Sequence, residues 1–173
     1  GFMLVHRARD ANDFLLDFFV EVPGRGTGTP SPMEAVDIPF GSGDTTQRFL
    51  VGAPSCAVPG MVAGLAEAHR RYGTMPWAEL VAPAAARARA GVELTEQQAL
   101  LHEVLDAVLR HDADGRRMYG TDERLCAGER LVMEDLADTL DHLAVDGARA
   151  FYDGELAGQI SDEVVGRGGT RAP

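Results

Sequence analysis

Two neighbouring stretches decide how this chain folds: residues 57–65 read AVPGMVAGL and residues 72–84 read YGTMPWAELVAPA. Pro59 suits the first turn of a helix, because its fixed φ is already helical and its missing N–H costs nothing there. Apolar and small side chains then recur at helical spacing: Met61, Leu65, Ala68 and Tyr72. Gly73 is expected to end this helix by entering the left-handed region, and Pro76 to open a second one. The pattern predicts two packed helices joined by one tight turn.

Gly60 and Gly64 leave one face of the first predicted helix without side chains. Each glycine inside a helix costs about 1 kcal/mol relative to alanine. The pair therefore predicts that a neighbouring segment of backbone approaches this face closely.

Composition limits the function classes. The 173 residues fit one domain, and 45% of them are hydrophobic, which is enough to bury a core. The net charge of −11 argues against nucleic acid or an anionic membrane as a partner. No apolar run approaches the ~20 residues that a membrane span needs.

No motif for catalysis, metal or cofactor binding stands out. Cys56 and Cys126 are predicted to be free thiols, buried or half-buried, and they leave the redox compartment undecided. The glycine-rich run at 24–28 leads into prolines rather than a helix, so it does not predict a phosphate site. His102 with Asp106, and Asp138 with His142, lie one helical turn apart and are typical of weak surface pairs. We expect no catalytic residue, no metal site and no cofactor in this chain.

Three regions follow one another along the chain. Residues 1–22 predict a β-hairpin whose strands are apolar on both faces, as in a sheet covered on each side. Residues 23–58 are rich in glycine and proline and predict a long loop, with at most a short strand at 48–51. Residues 59–169 predict a helical region.

Within the helical region, the TEQQ capping box at 95–98 predicts a helix that ends near His111. A loop is expected over 112–130. Two further helices are expected at 134–145 and 154–165.

Three separated stretches, in matching order, resemble the large subunit of gamma-glutamyltransferases. They are residues 57–84, the run GERLV at 128–132 with DLADTL at 135–140, and GARAFYDG at 147–154. The similarity runs from about Gly1 to Gly169. The chain is identified as a member of this family within the N-terminal nucleophile (Ntn) hydrolases.

The resemblance implies an α+β fold, the αββα sandwich of Ntn hydrolases, to which this chain supplies edge strands and a mainly helical part. Residues 1–173 would form part of the large subunit of one domain. In this family a precursor cuts itself and frees a small subunit whose N-terminal threonine attacks a γ-glutamyl amide, as in glutathione metabolism. That threonine would lie downstream of Pro173. The implied partners are this small subunit, in a heterodimer, and a small-molecule amide.

One departure from the family pattern concerns substrate binding. Family members end an early strand in Asp-x-Arg-Glu-x-Ala-Pro, and that arginine grips the substrate's α-carboxylate; residues 17–23 read DFFVEVP here. Phe19 stands in the place of the arginine, and a ring cannot replace a bidentate guanidinium contact. The acyl pocket is therefore predicted to prefer a less charged group. The substrate-binding candidates are Phe19, Glu21, Arg25 and Arg48, of which the two arginines offer another source of charge.

Three alternatives stay open at this point. Phe19 could be a core residue of a buried strand. The enzyme could be an acylase of the cephalosporin or glutaryl type, which shares the mechanism. The chain could also belong to a catalytically inactive relative that serves as a binding module.

Overall fold

The computed structural model describes residues 1–24, 31–41 and 45–170, and these form an α+β fold. The strands are β1 (Phe2–Arg7), β2 (Asn12–Asp17), β3 (Glu34–Phe40), β4 (Thr45–Val51), β5 (Val92–Glu93) and β6 (Arg130–Leu131). The helices are α1 (Met61–Tyr72), α2 (Trp77–Ala90), α3 (Glu96–Val104), α4 (Asp106–Leu109), α5 (Ala113–Tyr119), α6 (Glu134–Asp146), α7 (Ala150–Asp153) and α8 (Glu155–Gly166). A 3-10 turn covers Ala53–Ser55.

The chain divides into two units. The first contains Gly1–Ser31, Ala53–Val81 and His142–Pro173, and the second contains Pro32–Gly52 and Ala82–Asp141. Helices α2 and α6 each run from one unit into the other.

In the first unit, β1 and β2 form the predicted antiparallel hairpin, with Leu4 opposite Leu15 and Val5 opposite Phe14. One face of the hairpin packs towards α1, where the rings of Phe14 and Tyr72 lie 6.0 Å apart. The other face carries large apolar side chains that are exposed in the described chain: Phe2, Leu4 and Leu15. The strand predicted to reach residue 22 is shorter, because β2 ends at Asp17.

The two helices predicted from the opening stretches are present as α1 and α2. The expected left-handed stop at Gly73 is wrong, since this residue is extended, with φ −72° and ψ 145°. Glycine is needed there for space instead: an added Cβ would lie 2.3 Å from the ring of His69. Trp77 at the start of α2 donates a hydrogen bond of 2.9 Å to the carbonyl of Leu143, which attaches α2 to the end of α6.

In the second unit, β3 and β4 form an antiparallel hairpin, so the long loop predicted over 23–58 is wrong for these residues. Val36, Ile38 and Phe40 alternate with exposed residues along β3, and this period of two defines the strand. The prolines and glycines around the hairpin hid that signal. Gly41, with φ +62°, follows β3 at the turn.

The capping box predicted at Thr95 is present: the Thr95 hydroxyl accepts from the Gln98 amide, and the Gln98 side chain accepts from the Thr95 amide. The helix expected to run to His111 is interrupted at Leu105 and continues as α4. The loop expected over 112–130 is also wrong in part, because it contains α5. Asp112 caps α5 through a 2.8 Å hydrogen bond from the Gly115 amide, a local signal that sequence reasoning overlooked.

The buried side chains of the second unit are mostly small. Ala85 and Ala137 are 1% and 0% exposed, and Ile38 and Leu94 are 3% and 4% exposed. The amide of Met133, the residue before α6, donates a hydrogen bond of 2.9 Å to the carbonyl of Ala88 in α2.

Candidate functional site

The segment that carries the Phe19 candidate is held at both ends by backbone hydrogen bonds. The Phe18 amide donates to the carbonyl of Gly1 at 2.9 Å, and the amides of Glu21 and Val58 donate to each other's carbonyls at 3.0 and 2.8 Å. The Phe19 amide donates to the Asp17 carboxylate at 3.0 Å. Residues 18–21 therefore lie in a defined position rather than on a free loop.

Residues 18–21 pack against the face of α1 that carries the two glycines. A Cβ added to Gly60 would lie 2.2 Å from the carbonyl oxygen of Phe19 and 2.6 Å from that of Phe18. A Cβ added to Gly64 would lie 2.0 Å from Cγ of Phe18. The predicted close approach of backbone is thus confirmed at Gly60, whereas the close neighbour of Gly64 is the side chain of Phe18.

The side chain of Phe19 is 58% exposed in the described chain and stacks on Phe2, with ring centroids 5.6 Å apart and planes at 10°. The two rings extend the exposed apolar face of the hairpin towards α1. Together with α1 they line an open cleft, here named the Phe19 cleft. It is formed by segment 18–21, by Gly60 and by the α1 residues Gly64, Glu67 and Arg71.

At the edge of the Phe19 cleft, Glu67 pairs with two arginines of α1, so these three side chains together carry one net positive charge. Glu67 accepts hydrogen bonds of 2.7 Å from Nε and from Nη2 of Arg70, and one of 2.5 Å from Nε of Arg71. Hydrogen bonding from Arg70, and then from Arg71, lowers the pKa of Glu67 from 4.5 to about 2. Glu67 therefore stays ionised at neutral pH and pairs with both arginines.

Sequence reasoning missed Arg71 as a cleft residue. The signal was present in the spacing of positions 60, 64, 67 and 71, which form one stripe of a helix. Because the two glycines of this stripe contact residues 18–21, the other two positions, 67 and 71, also face the cleft.

The other sequence candidates lie in different places. Glu21 lines the Phe19 cleft, and Arg25 lies outside the described residues. Arg48 belongs to the second unit, on β4, where its guanidinium donates two hydrogen bonds of 2.8 and 2.9 Å to the Asp37 carboxylate. This pairing with Arg48 lowers the pKa of Asp37. The structure thus brings Phe19 and Glu21 together and shows Arg48 engaged by a carboxylate of its own hairpin.

The histidine pairs expected on helix surfaces form with other partners. His142 lies 3.3 Å from Asp146 rather than pairing with Asp138, and the ring of His102 packs edge-on against Tyr119 at 5.3 Å. Cys56 and Cys126 are free thiols, as predicted, but both are exposed rather than buried.

Neither a metal cluster nor a membrane-spanning helix occurs in the described residues. No group of three or more His, Cys, Asp or Glu side chains in residues 1–24, 31–41 and 45–170 is placed to hold a metal ion. In the same ranges, none of the helices has the length and apolar character that crossing a membrane requires.

Comparison with known families identifies the fold. The family model for Gamma-glutamyltranspeptidase matches residues 1–171, nearly the whole sequence. The chain belongs to the gamma-glutamyltranspeptidase family, a group of Ntn hydrolases, and corresponds to part of the large subunit.

Individual relatives agree with this assignment. The chain is 37% identical to a glutathione hydrolase proenzyme of Pseudomonas aeruginosa over 158 residues, covering 91% of the chain and 26% of that protein. It is 28% identical to the acylase ACY 1 proenzyme of Pseudomonas sp. (strain V22), covering 94% of the chain and 29% of that protein. The solved gamma-glutamyltranspeptidase of Helicobacter pylori superposes with a TM-score of 0.79 at 25% identity, covering 99% of this chain and 48% of the other. The chain thus spans about a quarter of the length of these curated relatives.

Proposed function

We propose that this chain is the large-subunit portion of an Ntn amidohydrolase that cleaves or transfers a γ-glutamyl or related acyl group from an amide. The nucleophile is the N-terminal threonine of a small subunit released from the same precursor, and its own α-amino group is the base. An acyl-enzyme forms on the threonine hydroxyl, the amine leaves, and water or an amino acid then accepts the acyl group. The match of the family model to residues 1–171 carries this proposal. Relatives named as proenzymes support a precursor that is cut.

The exposed apolar face of the first unit supports a covering partner. Phe2, Leu4 and Leu15 are 61%, 73% and 66% exposed, although large apolar side chains normally lose contact with water in a finished fold. A small subunit of the same precursor, and the rest of the single domain to which residues 1–173 contribute, would cover this face.

The acyl group that the enzyme prefers is proposed to be less charged than γ-glutamate. Phe19 matches the position of the substrate arginine in the family's sequence pattern, and in the Phe19 cleft its ring stacks on that of Phe2. The cation in the cleft, Arg71, already donates a hydrogen bond to Glu67, a carboxylate that it shares with Arg70. A substrate carboxylate placed there would lose water without gaining a bidentate partner, which is costly, whereas an apolar chain would gain contact area.

A panel of four p-nitroanilides tests this preference in the full-length, processed protein. The γ-glutamyl compound carries both an α-amino group and a carboxylate, the glutaryl compound only the carboxylate, the 4-aminobutyryl compound only the amine, and the butyryl compound neither. We expect kcat/KM for the butyryl compound to exceed that for the γ-glutamyl compound by about tenfold or more, as the loss of a charged contact of a few kcal/mol implies. A γ-glutamyl KM in the millimolar range or below, at a rate ordinary for the family, would overturn this preference.

A substitution links the preference to one side chain. Phe19→Arg should raise kcat/KM for the γ-glutamyl compound and lower it for the butyryl compound, because it returns the family's guanidinium to the cleft. Val22→Arg is the matched control, since it adds the same charge three residues further on at a side chain that is 83% exposed. An equal response of both variants would show that net charge, rather than the position of Phe19, determines selectivity.

Arg25 and Arg48 remain proposed alternative sources of positive charge. If either supplies it, its alanine variant should lose γ-glutamyl activity selectively while butyryl activity is retained. Arg25 belongs to this test because it follows the cleft segment in sequence. Arg48→Ala should be accompanied by Asp37→Ala, which frees the guanidinium instead of removing it.

An acylase of the cephalosporin or glutaryl type is the second candidate function. The similarity to the acylase ACY 1 proenzyme favours it. The glutaryl compound distinguishes it: a kcat/KM for glutaryl above that for both γ-glutamyl and butyryl compounds would assign an acylase.

The third possibility, an inactive binding relative, is decided by mass spectrometry of the purified full-length product. Two fragments, the smaller beginning with threonine, indicate self-processing. One intact chain without amidase activity indicates the binding module.

A further inference from the structure

Helix α1 begins without a cap from its own neighbourhood. Its N-cap is Gly60, which has no side chain to accept hydrogen bonds from the first turn. The first amides of any helix lack partners inside the helix and must find them elsewhere. For α1 these partners matter, because residues 18–21 pack against its first turn.

Tyr152, which lies far away in sequence, supplies the missing contact. Its hydroxyl accepts a hydrogen bond of 3.1 Å from the amide of Ala63, in the first turn of α1. The same hydroxyl donates a hydrogen bond of 2.7 Å to the carbonyl of Pro59. Tyr152, from the GARAFYDG stretch, thereby ties the residue before the N-cap to the third residue of the helix.

In sequence, Gly60 lies between Pro59 and Ala63, the two residues to which Tyr152 is hydrogen-bonded. Gly60 also contacts residues 18 and 19 of the cleft. Its conformation, φ −89° and ψ −7°, is open to any residue, so space alone explains the glycine. With only 2.2 Å between a Cβ added at Gly60 and the Phe19 carbonyl oxygen, the turn and the Phe19 peptide have no slack between them. A shift of the turn must therefore move Phe19.

We infer that Tyr152 is a positioning residue for acyl-group selectivity: its hydroxyl fixes the first turn of α1, and that turn fixes Phe19 in the cleft. This inference rests on the proposed function, in which Phe19 forms a wall of the acyl site. Tyr152 acts through Gly60 and makes no contact with substrate.

The experiment compares selectivity ratios in the full-length, processed protein. The ratio of kcat/KM for butyryl- over γ-glutamyl-p-nitroanilide is measured for the wild type and for Tyr152→Phe, which loses only the hydroxyl. Because both substrates meet the same preparation, a smaller active fraction leaves the ratio unchanged, whereas a displaced wall alters it. We expect the ratio to fall about tenfold, chiefly through a higher KM for the butyryl compound, because the turn loses the two hydrogen bonds of the hydroxyl and Phe19 is displaced. Tyr119→Phe, which removes a tyrosine hydroxyl in the second unit, should leave the ratio within about twofold.

Two more variants separate the possible failures. Phe19→Ala tests the proposed function itself: an unchanged ratio there shows that Phe19 is no part of the acyl site, and the role of Tyr152 fails with it. If Phe19→Ala alters the ratio and Tyr152→Phe does not, the positioning role is wrong while the proposed function stands. If Tyr152→Phe yields no processed enzyme, Gly60→Ala decides, since it pushes the Phe19 peptide directly. An altered ratio in Gly60→Ala supports the coupling of turn and wall, and an unaltered one overturns it.

Discussion

Substituting Gly64 by alanine tests whether the glycine face of α1 positions residues 18–21. The new Cβ would lie 2.0 Å from Cγ and 2.2 Å from Cβ of Phe18, where ordinary contact begins at 3.4 Å. Phe18 would have to move by about 1.4 Å, and because its own Cβ is in the clash, rotation of the ring gives no relief. Forcing an extra methyl into such a contact costs about 1–3 kcal/mol, against a gain of about 1 kcal/mol from replacing glycine in a helix.

The net effect expected for Gly64→Ala is a loss of up to about 2 kcal/mol of stability, or a few degrees in Tm. The assay is thermal unfolding of the full-length protein, followed by circular dichroism. Gly158→Ala is the matched control: each glycine is the fourth residue of a twelve-residue helix, but an added Cβ at Gly158 meets nothing within 4 Å. This control should be neutral or gain about 0.5–1 kcal/mol. A Tm of Gly64→Ala above that of the wild type, or equal to that of the Gly158→Ala control, would refute the close-contact reasoning.

Further predictions concern the cap, an ion pair and a helix contact. Thr95→Ala should cost about 1 kcal/mol by removing the capping box, whereas Thr139→Ala, which removes a hydroxyl bonded inside α6, should be near neutral; equal shifts in Tm would contradict the capping assignment. Since the pKa of Glu67 falls to about 2 in the fold from 4.5, its ionised form stabilises the protein above pH 4.5, and this contribution is lost as the pH falls towards 2. The Tm of Glu67→Gln, followed by circular dichroism from acidic to neutral pH, should therefore approach that of the wild type at the acid end and lie below it near neutrality; a constant difference would exclude this titration. Trp77→Phe should lose about 1–2 kcal/mol, because the carbonyl of Leu143 loses its indole donor; an unchanged unfolding midpoint in urea would show that water replaces this bond.

The candidate site could be predicted only in part. The family pattern pointed to Phe19, and the glycines on α1 announced a close neighbour. Neither signal named that neighbour, because residues 18–21 and α1 are separated by about forty positions and only packing unites them. Arg71 and Tyr152 were missed for the same reason: their roles depend on which residues lie across from them, and such contacts leave no local pattern.

Short-range sequence patterns predicted those helices and strands that depend mainly on interactions between residues close in sequence. The capping box at Thr95 marked the start of α3, and the apolar, β-forming residues of 1–22 indicated the first hairpin. The β3–β4 hairpin escaped because glycines and prolines around it obscured a clear alternation, and α5 escaped because its cap at Asp112 stood in an apparent loop. The sequence by itself determined the family, the helix pair and the absence of the expected arginine. Only the tertiary structure decided that residues 18–21 pack against Gly60 and Gly64. It also decided that the hydroxyl of Tyr152 is hydrogen-bonded to the first turn of α1. Those contacts join distant parts of the chain, so their energies exist only once the chain has folded.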